Sequence, residues 1–421
     1  MKRIMIWFFL SVNLIFSKDK KMEINTYLGT QTPYVKVKRE YTPPPPGYVP
    51  IYINHIGRHG ARYLSTSKDI DYVINIFEDA NKKQSLTEDG KIIRKYIINI
   101  ANYEKEKFGL LTPLGKEMEK GIAKRMYENF PEVFGKEVIA VSTYVERTKE
   151  SMNSFLEELS KYTSSNFFKS SSYGKIDPIL RFFSLNKAYL EYKEKGDWKK
   201  ELQNFENKED FSTDFLKKFF SESYLKEIHE KNKFSQILYE IYGNQFDIKK
   251  NFGLGDFFTE KELKILWENE NLSQYLEKGP GNIGNEISTN VSVILLKDFL
   301  VTSEAALLNR KTSANLRFAH AETIIPFASI LKIKGASEQT DDLIEVKNIW
   351  KDYEIAPMGA NIQWIFYEHN NENPILVKML YNEKEIEFPI ESQQKPYYKW
   401  EDIKKFYSEI VYFLLTPNFS K

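Results

Sequence analysis

The stretch PIYINHIGRHGARYLSTSKDI, residues 50–70, sets an apolar run against a strongly polar turn. Residues 51–55 (IYINH) read as a strand, and from residue 68 to about 107 the periodicity is helical, broken near NKKQSLTEDG. Between strand and helix stand Arg58, His59, Gly60 and Arg62. Two guanidinium groups flanking an imidazole repel one another, so an anion is the expected reason for their company. A helix start offers free backbone N–H groups and a positive dipole end. Gly60 lets the backbone approach a ligand closely. Arginine presents a planar fork that suits phosphate oxygens, and a neutral imidazole can attack phosphorus.

The same design recurs twice. In EVIAVSTYVERTKESMNSFLEEL, residues 137–159, a strand over 137–141 gives way to a polar turn and a helix from about Glu146, with Arg147 in the turn. In ANLRFAHAETIIPFASIL, residues 314–331, the turn carries His320 and Glu322. Taken singly, these residues have plainer readings. Arg147 is a first-turn surface charge, His320 a buried structural histidine, and Glu322 an acid placed to suit a helix N-terminus. Elsewhere, Thr112 and Pro113 form an N-cap and first helical position, and Met118, Ile122 and Met126 mark the buried face of the helix that follows. Residues 361–369 and 374–388 alternate as paired strands, and 400–415 form a last helix. Residues 166–300 are charged, aromatic and mostly helical in pattern.

Strand–helix units interrupted by a long helical excursion specify an α/β fold: a three-layer α/β/α sheet domain with an inserted, mainly helical domain. The expected division is a signal peptide at 1–17, an extended segment at 18–49, sheet domain at 50–165 and 301–421, and the helical insertion at 166–300. In such sheets ligands sit at the carboxyl ends of the strands, so the turns at 56–62, 142–147 and 319–322 should meet.

Composition narrows the function. The net charge of +1 provides no global field toward nucleic acid or a membrane. Cysteine is absent, which removes disulfides, a thiol nucleophile and any cysteine metal site. The opening MKRIMIWFFLSVNLIFSKDKK has a basic start and an apolar run shorter than the roughly 20 residues that span a bilayer. It reads as a signal peptide cut near Ser17, the competing reading being an uncleaved anchor. The expected product is exported, periplasmic or secreted, with no stable membrane association after removal of the signal. His55, His229 and His369 show no metal-ligand spacing.

Three segments together resemble the histidine phosphatase superfamily, in its acid phosphatase and phytase branch, and within it the bacterial multiple inositol polyphosphate phosphatases. They are Arg58-His59-Gly60-Ala61-Arg62-Tyr63, Ser142 to Ser151 around Arg147, and Leu316 to Glu322 with its His-Ala-Glu triplet. LTPLG at 111–115, LRFF at 180–183, APMGAN at 356–361 and LYNEKEIEFP at 380–389 extend the resemblance from about residue 50 to the C-terminus. The resemblance implies that His59 is the nucleophile and Glu322 the proton donor. It implies that Arg58, Arg62, Arg147 and His320 hold the phosphoryl oxygens, with Ser65 and Lys68 as possible further substrate contacts. No metal or other cofactor is implied, and the implied partner is a small phosphorylated molecule, phytate first. A broad acid phosphatase and an exported phosphate-ligand binding protein without catalysis are the alternatives. Leu64 stands where the family often has proline, and Asn186 where eukaryotic relatives often have cysteine.

Overall fold

The computed structural model describes residues 27–34, 40–207, 211–370 and 373–416. The expected signal peptide, 1–17, lies outside the described residues. Four parallel strands carry the fold: β1 (Tyr48–Arg58), β2 (Glu137–Ser142), β3 (Asn166–Ser171) and β4 (Thr312–Ala319). An antiparallel run follows, of β5 (Asn361–His369), β6 (Leu376–Tyr381), β7 (Lys384–Ile386) and β8 (Tyr398–Lys399). Among the described residues they form one sheet in the order β3-β2-β4-β1-β5-β6-β7, with β8 also paired to β6.

Strand alternation sorts the core into two layers. On β1, Ile53 packs under α3 (Pro113–Asn129) and α4 (Glu146–Leu159), together with Leu316, Phe318, Ile122, Met126 and Phe155. Its neighbours Tyr52 and Ile56 face the other way, onto Phe299, Ile324 and Tyr407 of the helices Val293–Asn309, Ala321–Ile330 and Trp400–Leu415. The result is the expected three-layer α/β/α arrangement. The Thr112 cap is in place: its Oγ1 accepts from the Gly115 N–H at 3.1 Å, a contact worth about 1 kcal/mol. The start of α3 also leans on the turn after β1, backbone to backbone. A β-carbon at Gly115 would stand 2.2 Å from the Ala61 carbonyl oxygen, and one at Gly60 would stand 2.5 Å from the Gly115 oxygen. Glycine at both positions is what lets the helix brace the turn.

The helical part follows different limits from those expected. Residues 166–171 form β3 and not the start of a helix, pairing with β2 in the register Val138↔Phe167. The strand is polar and mostly exposed, so it carries no alternation to betray it; backbone pairing with β2 decides its state. At the other end, residue 300 falls inside the helix Val293–Asn309, which packs on the sheet. Conversely, α1 (Lys68–Lys82) and α2 (Glu88–Glu104) leave the sheet. Their Ile70, Val73, Phe77, Ile93 and Ile97 join Phe215, Phe234, Leu238 and Trp267 in a separate core. The segment before β1 is not simply extended either. Gly29–Gln31 makes a 3-10 turn, and Leu28 is buried in that same helical core. Among the described residues no helix is long and apolar enough to cross a membrane.

Candidate active site

The three polar turns meet because β1, β4 and β2 are neighbours running the same way. In register, Arg58 lies beside Ala319 and Ser142 beside Phe318, so the strands end together. Backbone bonds lock the turns to one another. His59 N–H donates to the Ala319 oxygen at 3.1 Å, Thr143 N–H to the Phe318 oxygen at 3.2 Å, and Gly359 N–H to the His59 oxygen at 3.0 Å. The cavity over this edge, about 190 Å³, is lined by Arg58, His59, Arg62, Ser65, Arg147 and Glu322. Thr30 and Gln31 from the N-terminal turn, and Glu240, Glu270, Gln274 and Lys278 from the helical part, complete much of the wall. His320 stands directly behind: its ring centroid is 5.7 Å from that of His59. Lys68 is exposed and is not among the lining residues.

The protonation of His59 follows from its partner. Nδ1 lies 2.9 Å from the Gly60 carbonyl oxygen, which can only accept, so Nδ1 carries the proton and Nε2 keeps a lone pair. Burial first, then Arg147, Arg58, His320 and Arg62, hold the imidazole well below its usual pKa, so it is neutral. His320 is tied through its other ring nitrogen. Arg181 Nη1, which can only donate, lies 3.3 Å from His320 Nε2, and Thr143 Oγ1 lies 3.0 Å from the same atom. That leaves the His320 proton on Nδ1. Burial first and then Arg147 push its pKa down to about 3; Glu322 pulls upward, and Arg181 and Arg58 add to the lowering.

The cations are mutually strained. Arg58 is pinned by its Nη1 to the carbonyl oxygens of Thr30, at 2.5 Å, and Ala356. Burial and Arg62 lower its pKa to about 10, and burial and Arg62 do the same to Arg147. A bound anion would relieve that repulsion. Glu322 is the counter-charge among the cavity's cations. Burial alone would raise its carboxyl, but Lys278, with Nζ 3.8 Å away, then His320 and Arg58 outweigh burial and hold it below the usual carboxylate range. Lys278, Gln274, Glu240, Glu270 and Arg181 are residues that sequence reasoning missed. The helical spacing of Glu240, Glu270 and Gln274 was visible, but nothing local says which face of a charged helix turns toward a distant sheet, and Arg181 stands in a loop before the 3-10 turn Phe182–Ser184 with no periodicity to mark it.

Behind the turn lies a layer of buried acids. Burial raises Glu119 and Asp247 to about 8, and Glu104 and Asp352 to about 7. Above pH 7 the unfolded carboxyls are all ionised, while the folded ones still bind protons. The native state therefore binds more protons, and stability falls as pH rises through 7–8. Unfolding midpoints in a non-phosphate buffer should drop between pH 7 and pH 9, by on the order of 1 kcal/mol per group raised to about 8. A midpoint that is flat or rises over that range would show that these acids are ionised in the fold.

A family model for the histidine phosphatase superfamily, branch 2, matches residues 52–382. Among solved structures, the Bifidobacterium longum multiple inositol polyphosphate phosphatase in complex with inositol hexasulfate aligns with a TM-score of 0.82 at 21% identity, over 91% of this chain and 97% of that one. The phytase from D. castellii aligns at 0.64 and 16% identity, over 92% and 85%. The Hafnia alvei phytase aligns at 0.53 and 12% identity, over 89% and 99%. At these identities the likeness is one of fold. No curated protein matches the chain.

Proposed function

Since the chain belongs to the histidine phosphatase superfamily, branch 2, we propose that its cavity hydrolyses inositol polyphosphates, inositol hexakisphosphate among them, through a phosphohistidine on His59. By its family the protein is a phosphoric monoester hydrolase; the substrate and the route are the parts proposed. One observation carries the route. The lone pair on His59 Nε2 is fixed by the Nδ1–Gly60 contact, in a cavity that also holds Arg58, Arg62, Arg147 and Glu322. The substrate part draws support from the relative crystallised with inositol hexasulfate.

In the first step Nε2 attacks phosphorus and the ester P–O bond breaks. Arg58, Arg62, Arg147 and His320 Nδ1–H stabilise the charge on the equatorial oxygens. The departing inositol oxygen takes a proton from Glu322. The surrounding cations keep Glu322 ionised, but a phosphate dianion offsets that positive charge, and its proton affinity rises as substrate binds. In the second step water attacks phosphorus, the N–P bond breaks, and Glu322 takes the water proton. The enzyme is restored and inorganic phosphate leaves.

Purified protein mixed with labelled inositol hexakisphosphate and quenched in alkaline denaturant should retain label that acid removes, as a phosphohistidine does. Tight binding with neither label nor product would convert the reading to an exported capture protein. Turnover of an aryl phosphate with none of any inositol phosphate would leave a broad acid phosphatase.

A further inference from the structure

One nitrogen of Arg58 is committed before any ligand arrives. Its Nη1 donates to the Thr30 oxygen at 2.5 Å and to the Ala356 oxygen. A terminal guanidinium nitrogen carries two hydrogens, so both of those on Nη1 are spent inside the protein. The fork that remains is the edge made by Nε and Nη2. Nε is buried and has no hydrogen-bond partner among the described residues, on a side chain that lines the cavity. Whatever fixes Nη1 therefore fixes which edge an anion meets.

Both acceptors of Nη1 are tied to one residue, Asp352. The Thr30 N–H donates to Asp352 Oδ2 at 3.1 Å, and the Ala356 N–H donates to the Asp352 backbone oxygen at 2.8 Å. The other carboxylate oxygen, Oδ1, accepts from Trp267 Nε1 at 3.0 Å, and the Asp352 N–H donates to Asn271 Oδ1 at 2.8 Å. Trp267 and Asn271 lie on the helix Glu260–Glu277, so one residue joins the N-terminal turn, the helical part and the segment that ends at Ala356. Gly29 makes room for the contact: its φ is +54°, and a β-carbon there would stand 2.7 Å from Asp352 Oδ2. Asp352 is fully buried. Burying a carboxyl costs free energy that an apolar side chain of the same shape would not, so packing alone does not account for it.

We propose that Asp352 is a positioning residue for phosphoryl transfer: it sets the Thr30 carbonyl against Arg58 and so turns the Nε–Nη2 edge of Arg58 toward the phosphate. The segment before β1 is then part of the reaction edge. This rests on the phosphate-holding role of Arg58 given above and adds what aims that side chain.

The test uses Asp352→Leu, which keeps the shape and neither acceptor, and Asp352→Asn, which keeps one. Each is made in wild type and in an Arg58→Ala background. The readout is kcat/KM per folded protein on an aryl phosphate and on inositol hexakisphosphate, at a fixed pH of about 8, where the Asp352 carboxyl is mostly ionised. Asp352→Leu should lose about tenfold or more on both substrates, as misplacing a catalytic group does, and Asp352→Asn about threefold or more. In the Arg58→Ala background both losses should shrink below about twofold, because their effect runs through the missing guanidinium. Equal losses in the two backgrounds would make Asp352 a structural residue, and wild-type rates in both Asp352 variants would remove it from the reaction; either result overturns the proposal. Should Asp352→Leu not fold, Asp352→Asn carries the same comparison. The parent reading fails differently: Arg58→Ala itself would then turn over both substrates at the wild-type rate.

Discussion

His59→Ala should abolish turnover of inositol phosphates and aryl phosphates alike, with kcat falling on the order of 10⁴-fold or more. The loss should be common to all substrates because on the proposed route the imidazole forms the bond to phosphorus, a step that every ester shares. Removing the side chain spares the scaffold. The His59 N–H bond to Ala319 and the Gly359 bond to the His59 oxygen are backbone contacts, and they persist. Arg58, Arg62 and Arg147 also remain to hold an anion, so inorganic phosphate should still bind, as titration calorimetry would read. The alkali-stable, acid-labile label should vanish. Residual turnover within tenfold of wild type, or a label that persists in the variant, would move the nucleophile elsewhere.

Glu322→Gln should divide substrates by their leaving groups. An inositol alkoxide is a poor leaving group and needs a proton as the P–O bond breaks, so kcat on inositol phosphates should fall about 10²–10⁴-fold. An aryl phosphate leaves as a stabilised phenolate and should lose less than about tenfold in its phosphorylation step. The glutamine keeps the size and the hydrogen-bonding edge of the side chain while removing its charge, so Lys278 loses a partner 3.8 Å away without opening a void. The change should therefore appear in kcat, and because a carboxylate held below its usual range stabilises the fold, the unfolding midpoint at neutral pH should fall as well. Equal losses on both substrates would remove Glu322 from the proton-donor role and make it a structural counter-ion to Lys278.

Much of the reaction edge could be read from short segments. The turn at Arg58–Arg62 follows a strand and precedes a helix, and Arg147 and Glu322 hold the equivalent places in two further units. Each is a local pattern, so each was legible. Lys68 shows the limit of that reading. It sits on the first turn of α1 like a phosphate ligand would, yet α1 packs into the helical core and leaves Lys68 exposed. Lys278 shows the converse. It is one of 60 lysines and arginines, at the end of a helix with charges on several faces, and only its burial beside Glu322 sets it apart.

The amino-acid sequence by itself determined most of the units: the strands β1, β2, β4, β5 and β6, where Thr112 and Pro113 start a helix, and which turns carry imidazole, guanidinium and carboxyl groups. Those features depend on neighbours within a few residues, through hydrogen bonds and side-chain period. Only the tertiary structure decided that β4 lies between β1 and β2, which brings three turns to one edge. It also assigned β3 to the sheet, sent α1 and α2 to the helical core, and turned Glu240, Glu270 and Lys278 inward. The physical reason is range. Strand order and helix orientation are set by the burial of apolar surface between segments a hundred or more residues apart, which no local window contains.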